Sequence, residues 1–332
     1  MTASQRTTIG IGTVLALVVA LLVVVASPAN AATATVTNGN DSGAGSFRDA
    51  VDQANGDPTI DTIRFDPGLN VKLDDAVVYE GAQSLKIDGR GSTVRSSAAA
   101  MPATDWGTGL FVSNGGADLE LKRLRFLDSF GSGVVVLVPG TQTGTQTTVV
   151  NDVDIRRAQF HGLFVDDQAS TGFNTDGEPH PGCTDPHFVE SSATVNVDIR
   201  NSAFIDNGML DPGFDTSLAT GCPQDFDGVR IDEGAAGDLI ASMNNVDATR
   251  NLADGTEYDE KGEGSVLADT RNSTFDRNGE TVPISDGAGG TVEDLDDGFD
   301  IDEEGPGGIV ATIHNSTANS NFDEGFDIDA DG

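Results

Sequence analysis

Residues 239–262 align without a gap onto residues 309–332, and the match keeps apolar and acidic letters in a fixed order. The first stretch reads LIASMNNVDATRNLADGTEYDEKG and the second IVATIHNSTANSNFDEGFDIDADG. Asn245 falls on Asn315, Gly255 on Gly325 and Asp259 on Asp329. Two more copies share the lead-in to the Asn: VNVDIRN ending at Asn201 and VLADTRN ending at Asn272. The second halves recur as FDGVRIDE from Phe226 and DDGFDIDEEG from Asp296, and a weaker copy, VDIRRAQFHGLFVDD, starts at Val153. Successive Asn anchors lie 44, 27 and 43 residues apart, so the unit is near 27 residues and two units carry insertions. A period in this range means stacked units, none of which can bury its apolar face alone.

Within a unit the apolar period is two. Ile309, Ala311 and Ile313 alternate with Val310 and Thr312, and Phe326 and Ile328 alternate with Asp327 and Asp329. Short alternating runs broken by Gly and Asn predict half-buried strands joined by tight turns. After residue 60 no segment has a helical period. Short strands at a constant repeat without crossover helices predict an all-β, single-stranded parallel β-helix, a solenoid in which like residues stack about 4.8 Å apart. A β-propeller blade needs about 40 residues and four antiparallel strands, more than the unit supplies.

The front of the chain carries a different signal. TVTNGNDSGAGSFRDAVDQAN, residues 35–55, is followed by DTIRFDPGL. Ser46 is placed as an N-cap, and Phe47, Ala50, Val51 and Ala54 form one apolar helix face. Such a helix would plug the open end of a coil stack, which otherwise exposes strand edges. This opening resembles the N-terminal cap of exported bacterial right-handed β-helix proteins of the pectin-lyase-like fold, the polymorphic outer-membrane and related surface proteins among them. SLKIDGRGSTV from Ser84 and LELKRLRF from Leu119 resemble the first coils of the same families. The resemblance implies a right-handed solenoid with a short capping helix and does not imply an activity. The expected organisation is a signal peptide at 1–31, a cap at 32–60 and a β-helix at 61–332. Loop insertions are expected near 172–193, 208–224 and 279–294.

Arg6, an apolar run over residues 9–26 and Ala29-Asn30-Ala31 read as a signal peptide cleaved near Ala31. The run is long for a signal core, so an uncleaved anchor is the alternative. No second long apolar run follows, so the mature chain is expected to have no membrane span and to be secreted or held at the cell surface. The formal net charge of −36 argues against nucleic acid and against anionic lipid as partners. Two explanations of the charge compete: an acidic surface that serves solubility, and cation binding.

The acidic letters fall into ladders. Asp232, Asp259, Asp302 and Asp329 share one repeat position, and Arg230, Glu257, Asp300 and Asp327 share the position two residues earlier. With Phe326 and Ile328 inward, both sets point outward from one sheet. Stacked like charges repel, and calcium, which takes oxygen ligands in irregular geometry, would neutralise them. The expected calcium ladder is Asp232, Asp259, Asp300, Asp302, Asp327 and Asp329, with Asp254, Asp297 and Glu324 as turn carboxylates nearby. No EF-hand loop or GGxGxD repeat occurs, and the competing reading is a solvated acidic face screened by salt. Asn201, Asn245, Asn272 and Asn315 are expected to stack at one bend and hydrogen-bond from coil to coil. Asn272-Ser273-Thr274 and Asn315-Ser316-Thr317 are formal glycosylation acceptors, which a repeated turn explains equally well.

Cys183 and Cys222 lie in insertions after successive coils, and in an exported chain they read as a disulfide between two loops. The alternative is a zinc cluster of His180, Cys183 and His187, which lacks a fourth ligand. Asn174-Thr175-Asp176-Gly177 matches a polygalacturonase motif by letter, but its companion motifs are missing. His161 and His314, at or near turns, are expected in solvent. No catalytic residue is assigned, because a ladder supplies many carboxylate pairs without any being singled out. The expected function is that of a non-catalytic secreted or surface protein binding an extracellular polysaccharide or cell-envelope component through its acidic face. The alternative is a polysaccharide lyase or glycoside hydrolase, which the fold hosts elsewhere. An enzyme should show a non-repeating acid, base and Arg or Lys converging beside the insertions. The last strand runs to Asp331-Gly332 with no capping element, so end-to-end self-association or truncation is expected there.

Overall fold

The computed structural model describes residues 32–101, 107–167, 189–208, 226–279, 284–285, 291–292 and 297–330. Two parallel sheets run the length of the coil stack. The first has ten strands. Nine follow one another as Ala32–Val36, Ile60–Phe65, Leu85–Ser96, Leu119–Leu127, Thr143–Arg156, Ser192–Ile205, Leu239–Thr249, Val266–Arg271 and Ile309–His314, and Asn70–Leu73 pairs beside Leu85–Ser96. The second has eight: Val77–Tyr79, Gly109–Ser113, Ser132–Leu137, Leu163–Asp167, Val229–Glu233, Thr256–Glu260, Asp300–Glu303 and Asp329–Ala330. Neighbours in either sheet are one coil apart in the chain, and the chain passes from sheet to sheet within each coil. This is the expected all-β parallel β-helix. A two-residue antiparallel pair, Ile284–Ser285 with Thr291–Val292, lies outside the stack. The expected leader, Cys183, Cys222, His180, His187 and residues 174–177 fall outside the described residues.

Alternation builds the core. In Ser192–Ile205, Ala193, Val195, Val197 and Ile199 are buried; then Arg200 and Asn201 are both exposed, and Ser202 and Phe204 are buried instead. The switch of parity is a corner. It sits where Asn201 takes φ 50°, and Asn245, Asn272 and Asn315 take φ 60°, 53° and 52° at the matching places. Asn tolerates this left-handed region better than most residues because its short amide bonds locally. The amides also link the coils: Asn245 Nδ2 donates to Asn201 Oδ1 at 3.0 Å and Asn315 Nδ2 to Asn272 Oδ1 at 2.7 Å. Asn272 Nδ2 reaches Asn244 Oδ1 instead, at 3.0 Å.

The single described α-helix, Phe47–Gly56, begins at Ser46, whose Oγ accepts the Asp49 N–H at 3.1 Å. Asp49 Oδ2 accepts the Gly45 N–H in return, so the N-cap and the third helical residue brace the entry to the helix from both sides. Phe47, Ala50, Val51 and Ala54 are buried in the same core as the strands, with Phe47 5.1 Å from Phe65 and 5.8 Å from Phe111, ring centre to ring centre. No described helix is long and apolar enough to cross a membrane.

The turns from the second sheet back to the first stack backbone on backbone. A Cβ on Gly262 or Gly264 would lie 1.6 Å from the carbonyl oxygen of Ala235 or Gly237 in the coil before. Only glycine permits that approach.

Candidate functional site: the outward face of the second sheet

In each strand of the second sheet the residues between the core positions face outward. Register pairing sets them in columns. Phe164, Arg230, Glu257 and Asp300 are neighbours in one; Asp166, Asp232, Asp259, Asp302 and Asp329 form the other. Asp327 continues the first column beyond Asp300, through the bridge between Phe299 and Phe326. In the earlier coils the same side is apolar: Val78, Val112, Val135 and Phe164 pack with Leu137 and Ala76. The face therefore changes from apolar to acidic between Phe164 and Arg230.

A third column lies at the turn before the strands. His161, Asp227, Asp254, Asp297 and Glu324 each precede a glycine. The Asp227 N–H donates to His161 Nδ1 at 3.1 Å, the Asp254 N–H to Asp227 Oδ1 at 2.9 Å, and the Glu324 N–H to Asp297 Oδ1 at 2.7 Å. The Asp297 N–H donates to Asp254 Oδ1 in the same way. Each side chain thus ties down the backbone of the next coil.

The face differs from the expected solvated surface. Arg230 and Asp232 are each 1 % exposed, Asp259 3 % and Glu257 7 %, while Asp300, Asp302 and Asp327 are half-buried and Asp329 is exposed. Ile328 lies in an inward column yet is 41 % exposed. His161 is fully buried, against the expectation that it lies in solvent; its ring stacks on Phe164 at 4.8 Å and meets Phe226 edge-on at 5.5 Å. Burial, and then the charge of Arg230, push its pKa well down. The neutral ring accepts at Nδ1, which places its proton on Nε2. His314 is exposed, as expected.

Burial of so many carboxylates needs positive charge. In one coil the chain supplies it. Arg230 Nε donates to Asp232 Oδ1 at 2.9 Å, Nη1 pairs with Glu257 and lies 3.7 Å from Asp227 Oδ2, and Nη2 lies 3.4 Å from Asp259 Oδ2. Lys261 Nζ adds 3.2 Å to Asp259 and 3.6 Å to Glu304. Two of the six residues expected in the calcium ladder, Asp232 and Asp259, are thus met by cations of the chain itself.

The next coils differ. Asp297, Asp300 and Asp327 bring one oxygen each within 4.8 Å of the others, and among the described residues no Lys or Arg pairs with any of them. Glu257, Asp300 and Asp302 form a second such group and Asp227, Asp254 and Glu257 a third, so Asp300 and Glu257 are shared. Asp300 Oδ1 is buried, and among the described residues no donor reaches it. Burial, then the charges of Asp302, Asp297 and Asp327, raise Asp300 to about 8. Burial also raises Asp297 to about 7. Left alone, this patch holds protons in place of charge.

The sequence reading placed Arg230 in the column but not at its centre, and it missed Asp227 and His161 in the turn column. The signal was there: each stands immediately before a glycine, as Asp254, Asp297 and Glu324 do.

No family model matches the chain, and none of the curated proteins matches it. Among solved structures the chain is similar to the crystal structure of pectate lyase Pel9A, at 14 % identity and a TM-score of 0.36, over 88 % of this chain and 80 % of that one. It is also similar to the catalytic domain of GH87 alpha-1,3-glucanase in complex with nigerose, at 8 % identity and a TM-score of 0.24, over 88 % of this chain and 66 % of that one. Likeness at this level assigns no residue of this chain a role.

Proposed function

We propose that the protein is a secreted or cell-surface β-helix that does no chemistry. In this reading it binds calcium at Asp297, Asp300 and Asp327 and presents the loaded face to an extracellular polymer or envelope partner. One observation carries it: Arg230 and Lys261 neutralise the ladder at Asp232, Glu257 and Asp259, and among the described residues no Lys or Arg pairs with Asp297, Asp300 or Asp327 in the coils that follow. A cation from solution would complete the pattern. Calcium fits the donor set, since its oxygen ligands stand at about 2.3–2.6 Å and tolerate irregular geometry. Three oxygens within 4.8 Å of one another surround a point no more than about 2.8 Å from each, close to that distance. Export is supported by Arg6, the apolar run of residues 9–26 and Ala29-Asn30-Ala31.

The test is calorimetric. After chelation, added calcium should release or absorb heat and raise the melting temperature, and Asp300→Asn should abolish both effects. No heat and no change in melting temperature in the unaltered protein would remove the cation from the reading.

A second reading rests on a different observation. Arg230 interrupts the acids of its column and His161 those of the turn column, and both lie beside Phe164, where the apolar and acidic halves of the face join. An active site is an exception to a repeat, so a polysaccharide lyase or hydrolase centred on Arg230 is the alternative. Incubation with acidic and neutral polysaccharides decides between the two: new reducing ends or unsaturated products, lost in Arg230→Lys, would establish the enzyme.

A further inference from the structure

A separate ladder of carboxylates lies on the inward side of the second sheet. Asp167, Glu233, Glu260 and Glu303 occupy one register position on four successive strands. They share the parity of Val229 and Ile231, which face the core, and all four are 2 % exposed or less. Each glutamate uses one oxygen to hold its own turn. Glu233 Oε1 accepts the Gly237 N–H at 3.0 Å, Glu260 Oε1 the N–H groups of Gly262 and Gly264 at 2.8 and 3.3 Å, and Glu303 Oε1 the Gly307 N–H at 3.2 Å. The other oxygens of Glu233 and Glu260 are buried, and among the described residues no donor reaches either. The two side chains lie within hydrogen-bonding reach of each other.

Among the described residues, no group around the pair supplies a counter-charge. Asp167 is occupied by Ser191, whose N–H and O–H donate to its two oxygens at 2.9 and 2.5 Å. Glu303 is another acid, and Glu190 stands beyond Asp167. Arg230 and Lys261 are engaged on the opposite face with Asp232, Glu257, Asp259 and Glu304. Two carboxylates in contact inside an apolar core cannot both be ionised.

We propose that Glu233 and Glu260 hold one proton between their free oxygens, a carboxyl–carboxylate pair built into the coil stack that sets the alkaline limit of the fold. The pair joins two coils at the place where their turns stack too closely for any side chain. Ionising both members would set two like charges against each other under those turns. Burial, then the hydrogen bond to Glu260 and its charge, then Asp167, raise Glu233 to about 9, and burial raises Glu260. The sign follows. The folded pair keeps a proton that the unfolded chain releases, so the contribution to stability is complete below about pH 4.5 and is lost as pH rises through about 9.

The inference does not draw on the cation reading, and a chelator is present throughout its test. The full chain is labelled with 13C at the glutamate side-chain carboxyls only, which leaves the outward aspartates silent. Its carboxyl resonances are followed against pH. One glutamate resonance should titrate near pH 9 and disappear in both Glu233→Gln and Glu260→Gln. Either amide can donate to the remaining carboxylate, so each variant should fold and should show a smaller fall in melting temperature between neutral and alkaline pH, the remainder belonging to Asp297 and Asp300. Glutamates that all titrate in the ordinary range in the unaltered protein would overturn the proposal, whether or not the variants fold. So would a shifted resonance that vanishes at constant pH on adding sodium, potassium, or calcium in excess of the chelator, because a metal ion would then hold the pair.

Discussion

Arg230 is the residue on which the buried part of the acidic face depends. Its guanidinium is 1 % exposed and reaches Asp232, Glu257, Asp259 and Asp227 with donors on three nitrogens. A planar fork with donors on three nitrogens spans carboxylates set on several sides of it, a reach that the compact ammonium of a lysine lacks. Arg230→Met removes the charge while keeping much of the stem, and it strands buried carboxylates without a counter-ion. It should cost about 3–5 kcal/mol of stability at neutral pH. The loss should shrink on acidification, because the stranded groups then take up protons. Denaturant titrations of both proteins at acid and neutral pH measure this. A loss independent of pH would mean that Arg230 acts through packing alone. Arg230→Lys should fall between the two, since one point charge cannot reach all four partners.

At the scale of the element, the corners and turns hold the coils in register. Two Asn ladders do this differently. The outer one, at Asn201, Asn245, Asn272 and Asn315, is exposed and set by the left-handed backbone. The inner one, at Asn207, Asn251, Asn278 and Asn321, carries its amides inside. Asn251 Oδ1 accepts the N–H and Nδ2 of Asn207 at 3.1 and 3.0 Å, and Asn251 Nδ2 donates to Asn278 Oδ1 at 3.1 Å and the Phe204 carbonyl at 3.2 Å. Asn245→Gly should stay within about 0.5 kcal/mol of the unaltered protein, since glycine takes a positive φ freely. Asn245→Ala should lose about 1–2 kcal/mol to that backbone. Asn251→Ala should lose about 1–3 kcal/mol, because it takes the acceptor from the buried N–H and amide of Asn207 and the side-chain donor from the Phe204 carbonyl, while Asn278 Oδ1 keeps the Asn251 N–H. Equilibrium unfolding of the three variants orders them; equal losses at 245 and 251 would contradict the assignment.

The outer ladder was legible because a repeated Asn after an alternating run is itself a corner signal. The inner ladder was not, because which way Asn251 faces depends on a second left-handed residue just before it, Arg250 at φ 58°, and an arginine is no turn signal. The same holds for the carboxylates. Alternation placed Asp232, Asp259 and Asp302 outward correctly, but a column of Asp looks identical whether solvent or protein lies over it. The inward Glu233, Glu260 and Glu303 were hidden because an acid in a core column reads as an error of alternation. Only the glycine four residues after each of them signals its hold on the turn.

For the whole molecule the formal charge of −36 sets the dependence on pH. Burial raises Asp167 to about 6, Asp297 to about 7, Asp300 to about 8 and Glu233 to about 9. Each holds a proton in the fold that the unfolded chain gives up, so each contributes stability that is complete below its unfolded value and is lost as pH rises through the folded one. Asp88 runs the other way. Burial raises it, but the hydrogen bonds and charge of Arg123 outweigh that and leave it below its ordinary value. Its contribution is present above about pH 3.8 and is lost as pH falls through the depressed value. The metal-free protein should therefore be most stable at about pH 4–5 and weaken steadily toward pH 9. Calcium changes only the outward part of this balance, since it favours the ionised forms of Asp297, Asp300 and Asp327. Its stabilising effect should be nearly absent at about pH 4, where protons already occupy the patch, and should grow with pH as they leave. Melting temperatures measured across this range in chelator and in calcium should give two curves that meet at the acid end and diverge toward the alkaline end. The calcium curve should still decline near pH 9, because the inward pair at Glu233 and Glu260 takes no part in the calcium site. A metal-free curve that rises through neutral pH would show that the buried acids are ionised in the fold.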